Sequence, residues 1–284
     1  MTTLQTVQTS FVSINGLKIA YRRFGISSQL PLIYVNHLRG SMDTLDPLLF
    51  NSIAKSREVI VYDSAGIGNS EGSVPDSIPE MAAIAVNLLA ALEIPKADFI
   101  GFSMGGGIVQ HIGFEYPQIF NKLVLAGTQP GIGEGVALPP REVLESAGAN
   151  NDQPPTEDDM MNLFFYPSKT SLALGHAWWK RIHERNVEGE PRKAYLTGTG
   201  AQAQLAAIFK FTTDTRNFER LADIKAPVLV TNGHTDIMSP TSNSFVLQQK
   251  IANAHLHLYP DAGHGHLFQV PELYAKELEL FLKN

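Results

Sequence analysis

The sequence predicts an α/β fold, a mostly parallel twisted sheet of about eight strands with helices on both faces and a helical lid inserted after the sixth strand. Three observations predict it. Short continuous apolar runs alternate with helical patterns along most of the chain. Runs of that kind suit strands buried on both faces, and helices between them make crossover units of a parallel sheet. A hairpin signal opens the chain, and from roughly Gln129 to Leu221 no strong buried-strand run occurs.

In chain order, Phe11–Asn15 and Leu17–Phe24 flank Asn15-Gly16, a pair suited to a two-residue hairpin turn. The buried-strand runs follow: Leu32–Asn36, Glu58–Asp63, Asp98–Phe102, Lys122–Ala126, Pro227–Thr231 and His255–Tyr259. Helical patterns cover Pro79–Leu92, Met104–Tyr116 (stopped by Pro117), Thr241–Ile251 and Pro271–Leu282. The long interval opens on a Gly/Pro-rich stretch, Gln129–Pro155, then reads as helices near Asp158–Phe165, Ser171–Glu184 and Thr197–Phe211. Connections that long are usually functional insertions. The expected organisation is a core over residues 1–128, a helical cap over 129–221, and the rest of the core over 222–284.

Composition narrows the function. The chain has 284 residues and a net charge of −6, with 44% hydrophobic and 18% charged residues, which suits one large globular domain. An acidic balance gives no footing for nucleic acid or an anionic membrane. The absence of cysteine removes disulfides, thiolate metal sites and thiol nucleophiles. No apolar run is long enough to span a bilayer, and the opening MTTLQTVQTS lacks the basic start and apolar core of a signal peptide. A cytoplasmic location is the expectation.

The sharpest signal is Gly101-Phe102-Ser103-Met104-Gly105, between the strand DFIGF and a helical pattern. A strand-to-helix turn that tight strains its central residue and needs small residues two positions either side. The serine oxygen is then lifted above the sheet edge. The following helix aims its amide groups there, so the Met104 N–H can donate to an oxyanion. A glycine-rich turn that only packs helix on strand has the same pattern, so the other features decide. A serine nucleophile needs a base, and the base an orienting acid, at the carboxyl ends of other strands. Asn232-Gly233-His234-Thr235-Asp236 follows PVLVT, and Asp261-Ala262-Gly263-His264-Gly265-His266 lies just beyond HLHLY. The order Ser103, Asp236, His264 is that of the hydrolase elbow type.

These pieces, with YDSAGIGNS at Tyr62–Ser70, resemble the α/β-hydrolase superfamily over essentially the whole chain, in particular its lidded, serine-nucleophile esterase and cofactor-free haloperoxidase-like branch. The resemblance implies His264 as the base, with His266 a pocket-wall or helix-start residue. It makes Asp236 the acid ahead of Asp261 and Asp223, and gives Asp63 the task of holding its own turn. It also implies a second oxyanion donor from the loop after LIYVN. That loop commonly begins His-Gly but here reads Asn36-His37-Leu38-Arg39-Gly40-Ser41. Leu38 is the first choice for the donated N–H and Arg39 the second.

Arg39 is also a candidate to bind a substrate carboxylate or enolate, against an ion pair with Asp43 or Asp46. Within the insertion, Phe164, Phe165, Tyr166, Trp178 and Trp179 suggest an apolar or aromatic pocket. Of these Trp178 and Phe165 are taken as substrate-binding candidates, against ordinary lid-to-body packing. His255 and His257 share a strand face, but no third ligand is spaced to complete a metal site. Structural or surface roles are expected for His37, His111, His176, His183 and His234.

The expected function is a serine hydrolase that cleaves a small apolar or aromatic ester or lactone through an acyl-enzyme, with no cofactor and no metal. A homodimer is left open. Two other enzymes fit the same residues. One is a C–C bond hydrolase; the other performs decarboxylation, condensation or cyclisation with the same histidine as acid and base. A small-molecule receptor on this fold is the alternative of another class, and a strained nucleophile weighs against it.

Overall fold

The hairpin forms at Asn15-Gly16, joining β1 (Ser10–Ile14) to β2 (Leu17–Gly25) in antiparallel register. Both turn residues take the left-handed backbone such a turn demands, at φ 51° and 84°. The computed structural model describes residues 2–148 and 152–283. Six further strands follow: β3 (Leu32–Val35), β4 (Glu58–Tyr62), β5 (Ala97–Phe102), β6 (Phe120–Ala126), β7 (Val228–Gly233) and β8 (Ala254–Tyr259). They form one eight-stranded sheet in the order β1-β2-β4-β3-β5-β6-β7-β8. From β4 to β8 every neighbouring pair is parallel, while β2 runs antiparallel to β4 at the other end.

Central strands are buried on both faces because both faces carry helices. Leu32 and Tyr34 of β3 face one core, and Ile33 and Val35 face the other. The first core is closed by α1 (Pro47–Ala54) and α11 (Pro271–Lys283), the second by α2 (Ile78–Ala91), α3 (Met104–Glu115) and α9 (Ser242–Lys250). Helix α1 was not foreseen, although Pro47 stands in its first turn and the Asp46 side chain caps it by accepting the Leu48 N–H.

Between β6 and β7 the chain carries α4 (Arg141–Gly148), α5 (Glu157–Phe164), α6 (Lys169–Arg181), α7 (Gly198–Thr213) and α8 (Thr215–Glu219). Three match the helices read from the sequence within two or three residues; α4 and α8 are additions. The insert straddles the sheet. Met160, Phe164 and Trp178 join the first core, whereas Ala207, Phe211 and Phe218 join the second. A last short helix, α10 (His266–Gln269), precedes α11. Among the described residues no helix is long and apolar enough to cross a membrane.

Candidate active site

Ser103 stands between the end of β5 and the start of α3 with φ 56° and ψ −119°, a conformation L side chains seldom adopt. Close packing enforces it. A Cβ on Gly101 would lie 2.2 Å from the Gly105 carbonyl oxygen, and one on Gly105 would lie 2.1 Å from that of Val35. The Ser103 N–H is held by the Ala126 carbonyl at 2.9 Å. Met104 supplies the first amide of α3, one of the four that a helix leaves without an intrahelical partner.

His264 lies in the turn between β8 and α10, 1% exposed, with its ring against Phe102 at 4.8 Å and Phe164 at 5.4 Å. Its Nδ1 is 2.7 Å from Asp236 Oδ2. A carboxylate only accepts, so Nδ1 carries the proton and Nε2 is left as the basic nitrogen. Asp236 is positioned by its own loop after β7, where Oδ1 accepts the Met238 and Ser239 N–H groups at 2.8 Å each. Its own N–H donates to Thr241 Oγ1. The rival acids are spent elsewhere. Asp261 accepts the Ser168 hydroxyl on the surface, and Asp223 accepts from Arg220. Asp63 holds its loop through the Met42 and Asn69 N–H groups, and burial pushes its carboxyl up to about 6.

Ser103 and His264 open on a shared cavity of about 170 Å³, lined by apolar Leu38, Met160, Leu163, Phe164, Pro154, Pro155 and Met238 and by polar His37, Arg39, Asp159 and Tyr195. A second cavity of about 130 Å³ meets Ser103 from the α3 side and is lined by Leu38, Met104, Leu205, Ile208 and Phe211. Leu38 and Met238 belong to both.

Several expectations change here. Trp178 and Phe165 do not line either cavity. Trp178 is fully buried among Phe164, Phe165 and Phe268, and Phe165 packs on it, so both are insert-to-body packing residues. The Arg39 N–H donates to Gln204 Oε1 at 2.7 Å, which spends it and removes the second choice for an oxyanion donor. Arg39 pairs with neither Asp43, which faces Arg22 and Arg185, nor Asp46, which faces Arg181. His37, expected in a structural or surface role, is buried and lines the first cavity. It is surrounded by Phe102, Phe164, Tyr195 and Phe268, and burial lowers its pKa to about 3. His266 begins α10, fully buried, between the His264 carbonyl and the Thr231 hydroxyl. Along β8, His255 packs against Phe281, and His257 stacks on Tyr259 near Glu277.

Met160, Tyr195 and Gln204 were not read from the sequence. Each comes from the insert, where no strand end fixes which side chain turns inward.

The family described as alpha/beta hydrolase fold matches residues 32–270. An alpha/beta hydrolase fold protein from Chitinophaga pinensis superposes with a TM-score of 0.90 at 33% identity, covering 100% of both chains. A 2-hydroxy-6-oxo-6-phenylhexa-2,4-dienoate hydrolase from Comamonas testosteroni is 30% identical, over 72% of this chain and 70% of its own. A poly(3-hydroxyalkanoate) depolymerase from Ectopseudomonas oleovorans is 27% identical, over 86% of this chain and 81% of its own. With the match spanning the elbow, the acid loop and the histidine turn, the chain belongs to the α/β-hydrolase fold family.

Proposed function

We propose that the protein is a serine hydrolase cleaving a small carboxylic ester or lactone with an apolar or aromatic portion, through an acyl-enzyme. The observation that carries the reading is the junction at Ser103, where a strained nucleophile shares a cavity with a histidine whose other nitrogen is held by a buried carboxylate. In this reading His264 Nε2 takes the Ser103 proton as Oγ attacks the carbonyl carbon. Asp236 holds the tautomer and stabilises the imidazolium. The Met104 and Leu38 N–H groups receive the oxyanion, and a donor of this kind lowers the barrier by about 2.7–4 kcal/mol. His264 then gives its proton to the leaving alkoxide, and afterwards activates water against the acyl-enzyme.

The two cavities divide the substrate by chemistry. The leaving group must lie beside the histidine, which lines the first cavity, so the acyl portion occupies the second. The polyester-degrading name of one relative agrees with ester cleavage. The insert acts as the lid of both cavities.

A second reading, C–C bond hydrolysis of a dienoate, is favoured by the name of the Comamonas testosteroni relative. Rapid mixing with p-nitrophenyl butyrate separates the two. A nitrophenolate burst equal to the enzyme concentration, followed by slower turnover, is expected of an acyl-enzyme. No release from any ester or lactone, with consumption of 2-hydroxy-6-oxo-6-phenylhexa-2,4-dienoate, would replace the first reading by the second.

A further inference from the structure

Arg39 joins the loop after β3 to the insert at four points. Its carbonyl accepts the Leu196 N–H at 2.8 Å, and its own N–H donates to Gln204 Oε1 at 2.7 Å. The guanidinium donates from Nε to the Leu196 carbonyl at 2.7 Å, and from Nη2 to the Gln153 carbonyl. Tyr195, next in the chain to Leu196, stacks on His37 at 6.2 Å. Three separate stretches of the insert therefore grip one residue of the loop.

That residue is strained. Arg39 has φ 66° inside a turn closed by the Gly40 N–H on the His37 carbonyl at 3.2 Å. A left-handed third position is where such turns take glycine or asparagine, and a larger side chain there costs about 1–2 kcal/mol. Glycine would adopt this backbone without strain but, with no side chain tied to the Leu196 and Gln153 carbonyls, would leave it for other conformations as readily. The arginine holds it through its side chain and through Gln204, which fixes the plane of the Leu38–Arg39 peptide.

We propose that Arg39 is a positioning residue that makes the Leu38 N–H available to an oxyanion only while the insert is seated on the loop. The inference rests on the acyl-enzyme reading of Ser103. With the insert lifted, the four hydrogen bonds break together. The strained turn then relaxes, and the adjoining peptide carrying the Leu38 N–H turns away from Ser103. The hydrolytic site is thereby completed by closure, and an open enzyme holds its substrate without attacking it.

The test compares wild type with Arg39→Gly, Arg39→Lys and Gln204→Leu. The measurements are thermal midpoint, kcat and KM for the neutral ester p-nitrophenyl butyrate and for an ester bearing a carboxylate, the rate of Ser103 labelling by a fluorophosphonate, and amide exchange over residues 37–41 and 195–205. Arg39→Gly should keep its thermal midpoint and KM, yet lose about 30-fold or more in kcat and labelling rate, a large part of one oxyanion donor. Exchange in both segments should quicken. Arg39→Lys should lose as much, since one ammonium cannot span two carbonyls as a guanidinium does. Gln204→Leu should lose kcat in the same direction.

Wild-type labelling and exchange in Arg39→Gly would overturn the proposal. So would a loss confined to KM for anionic esters, which would make Arg39 a substrate-binding group instead. Failure of wild type itself to label would sink the acyl-enzyme reading, while the exchange comparison, which needs no turnover, would still decide whether Arg39 ties loop to insert.

Discussion

His264 Nδ1 and Asp236 Oδ2 meet at 2.7 Å although 28 residues separate them, and both side chains are withdrawn from water. Burying a carboxylate is costly unless each oxygen is satisfied. Here Oδ2 takes the imidazole proton, while Oδ1 takes two backbone N–H groups of its own loop. The two strand-end loops are fixed against each other as well, since the Thr235 N–H donates to the Ala262 carbonyl at 3.0 Å.

The first prediction follows from that division of labour. Asp236→Asn leaves Oδ1 able to accept from Met238 and Ser239, so the loop should fold as before. The amide NH₂ can then donate to Nδ1, which puts the proton on Nε2, the nitrogen needed as base. We expect kcat for p-nitrophenyl butyrate to fall by about 10⁴ with little change in thermal midpoint. A variant keeping a tenth of wild-type kcat would show that Asp236 does not orient His264.

Two neighbouring glycines of the elbow should respond in opposite ways. Alanine at Gly105 would drive its Cβ against the Val35 carbonyl, a backbone atom that cannot step aside. Gly105→Ala should cost about 3 kcal/mol or more in urea unfolding. At Gly107 the new Cβ would rest 3.4 Å from the Phe211 ring, and alanine favours a helix. Gly107→Ala should stay within about 1 kcal/mol of wild type. Equal losses at both positions would contradict the packing described for the turn.

Trp178 and Met160 both come from the insert but should report different things. Trp178→Ala removes the centre of the insert's packing on α10 and should cost about 3–5 kcal/mol of stability. Trp178→Phe should be milder, because the buried indole Nε1 has no hydrogen-bond partner to lose among the described residues. Met160→Ala enlarges the first cavity and should raise kcat/KM for bulkier leaving alcohols relative to small ones. A change in alcohol preference from Trp178→Phe would return that residue to the cavity wall.

Acid should weaken the fold through His37. Burial lowers its pKa to about 3, against an unfolded value near 6.5. Between those limits the unfolded chain binds a proton the folded one refuses. The stability present above pH 6.5 is therefore lost, by about 1.4 kcal/mol per pH unit, as pH falls. His37→Asn should reduce the loss measured by urea unfolding between pH 6.5 and 4.5 by roughly 2 kcal/mol. An unchanged slope would show that His37 is already charged in the folded protein or is reached by water.

What the sequence discloses about this protein follows burial. The strand cores are legible because residues such as Ile33 and Val61 sit between two helical layers and must be apolar on both sides. Ser103, Asp236 and His264 are legible because each follows a strand at one sheet edge, where the backbone alone settles the location. In the insert that help ends. Phe164 and Phe165 are adjacent and equally aromatic, yet one walls the cavity and the other packs on Trp178. Which of them turns inward depends on how α5 rests on α10, a long-range contact that leaves no local pattern. Gln204 is harder still. Only the loop partner at Arg39, 165 residues away, distinguishes it from an ordinary helical glutamine. Helix α1 is a different case, since its Asp-Pro start carries a cap signal in the sequence itself.

The most direct measurement is the intact mass of the protein after incubation with a fluorophosphonate, run beside Ser103→Ala and His264→Ala. An activated serine predicts one adduct on wild type, none on Ser103→Ala, and little or none on His264→Ala within the same time. A folded wild-type protein that gains no mass, or a Ser103→Ala variant that labels as readily, would contradict the acyl-enzyme mechanism at its first step.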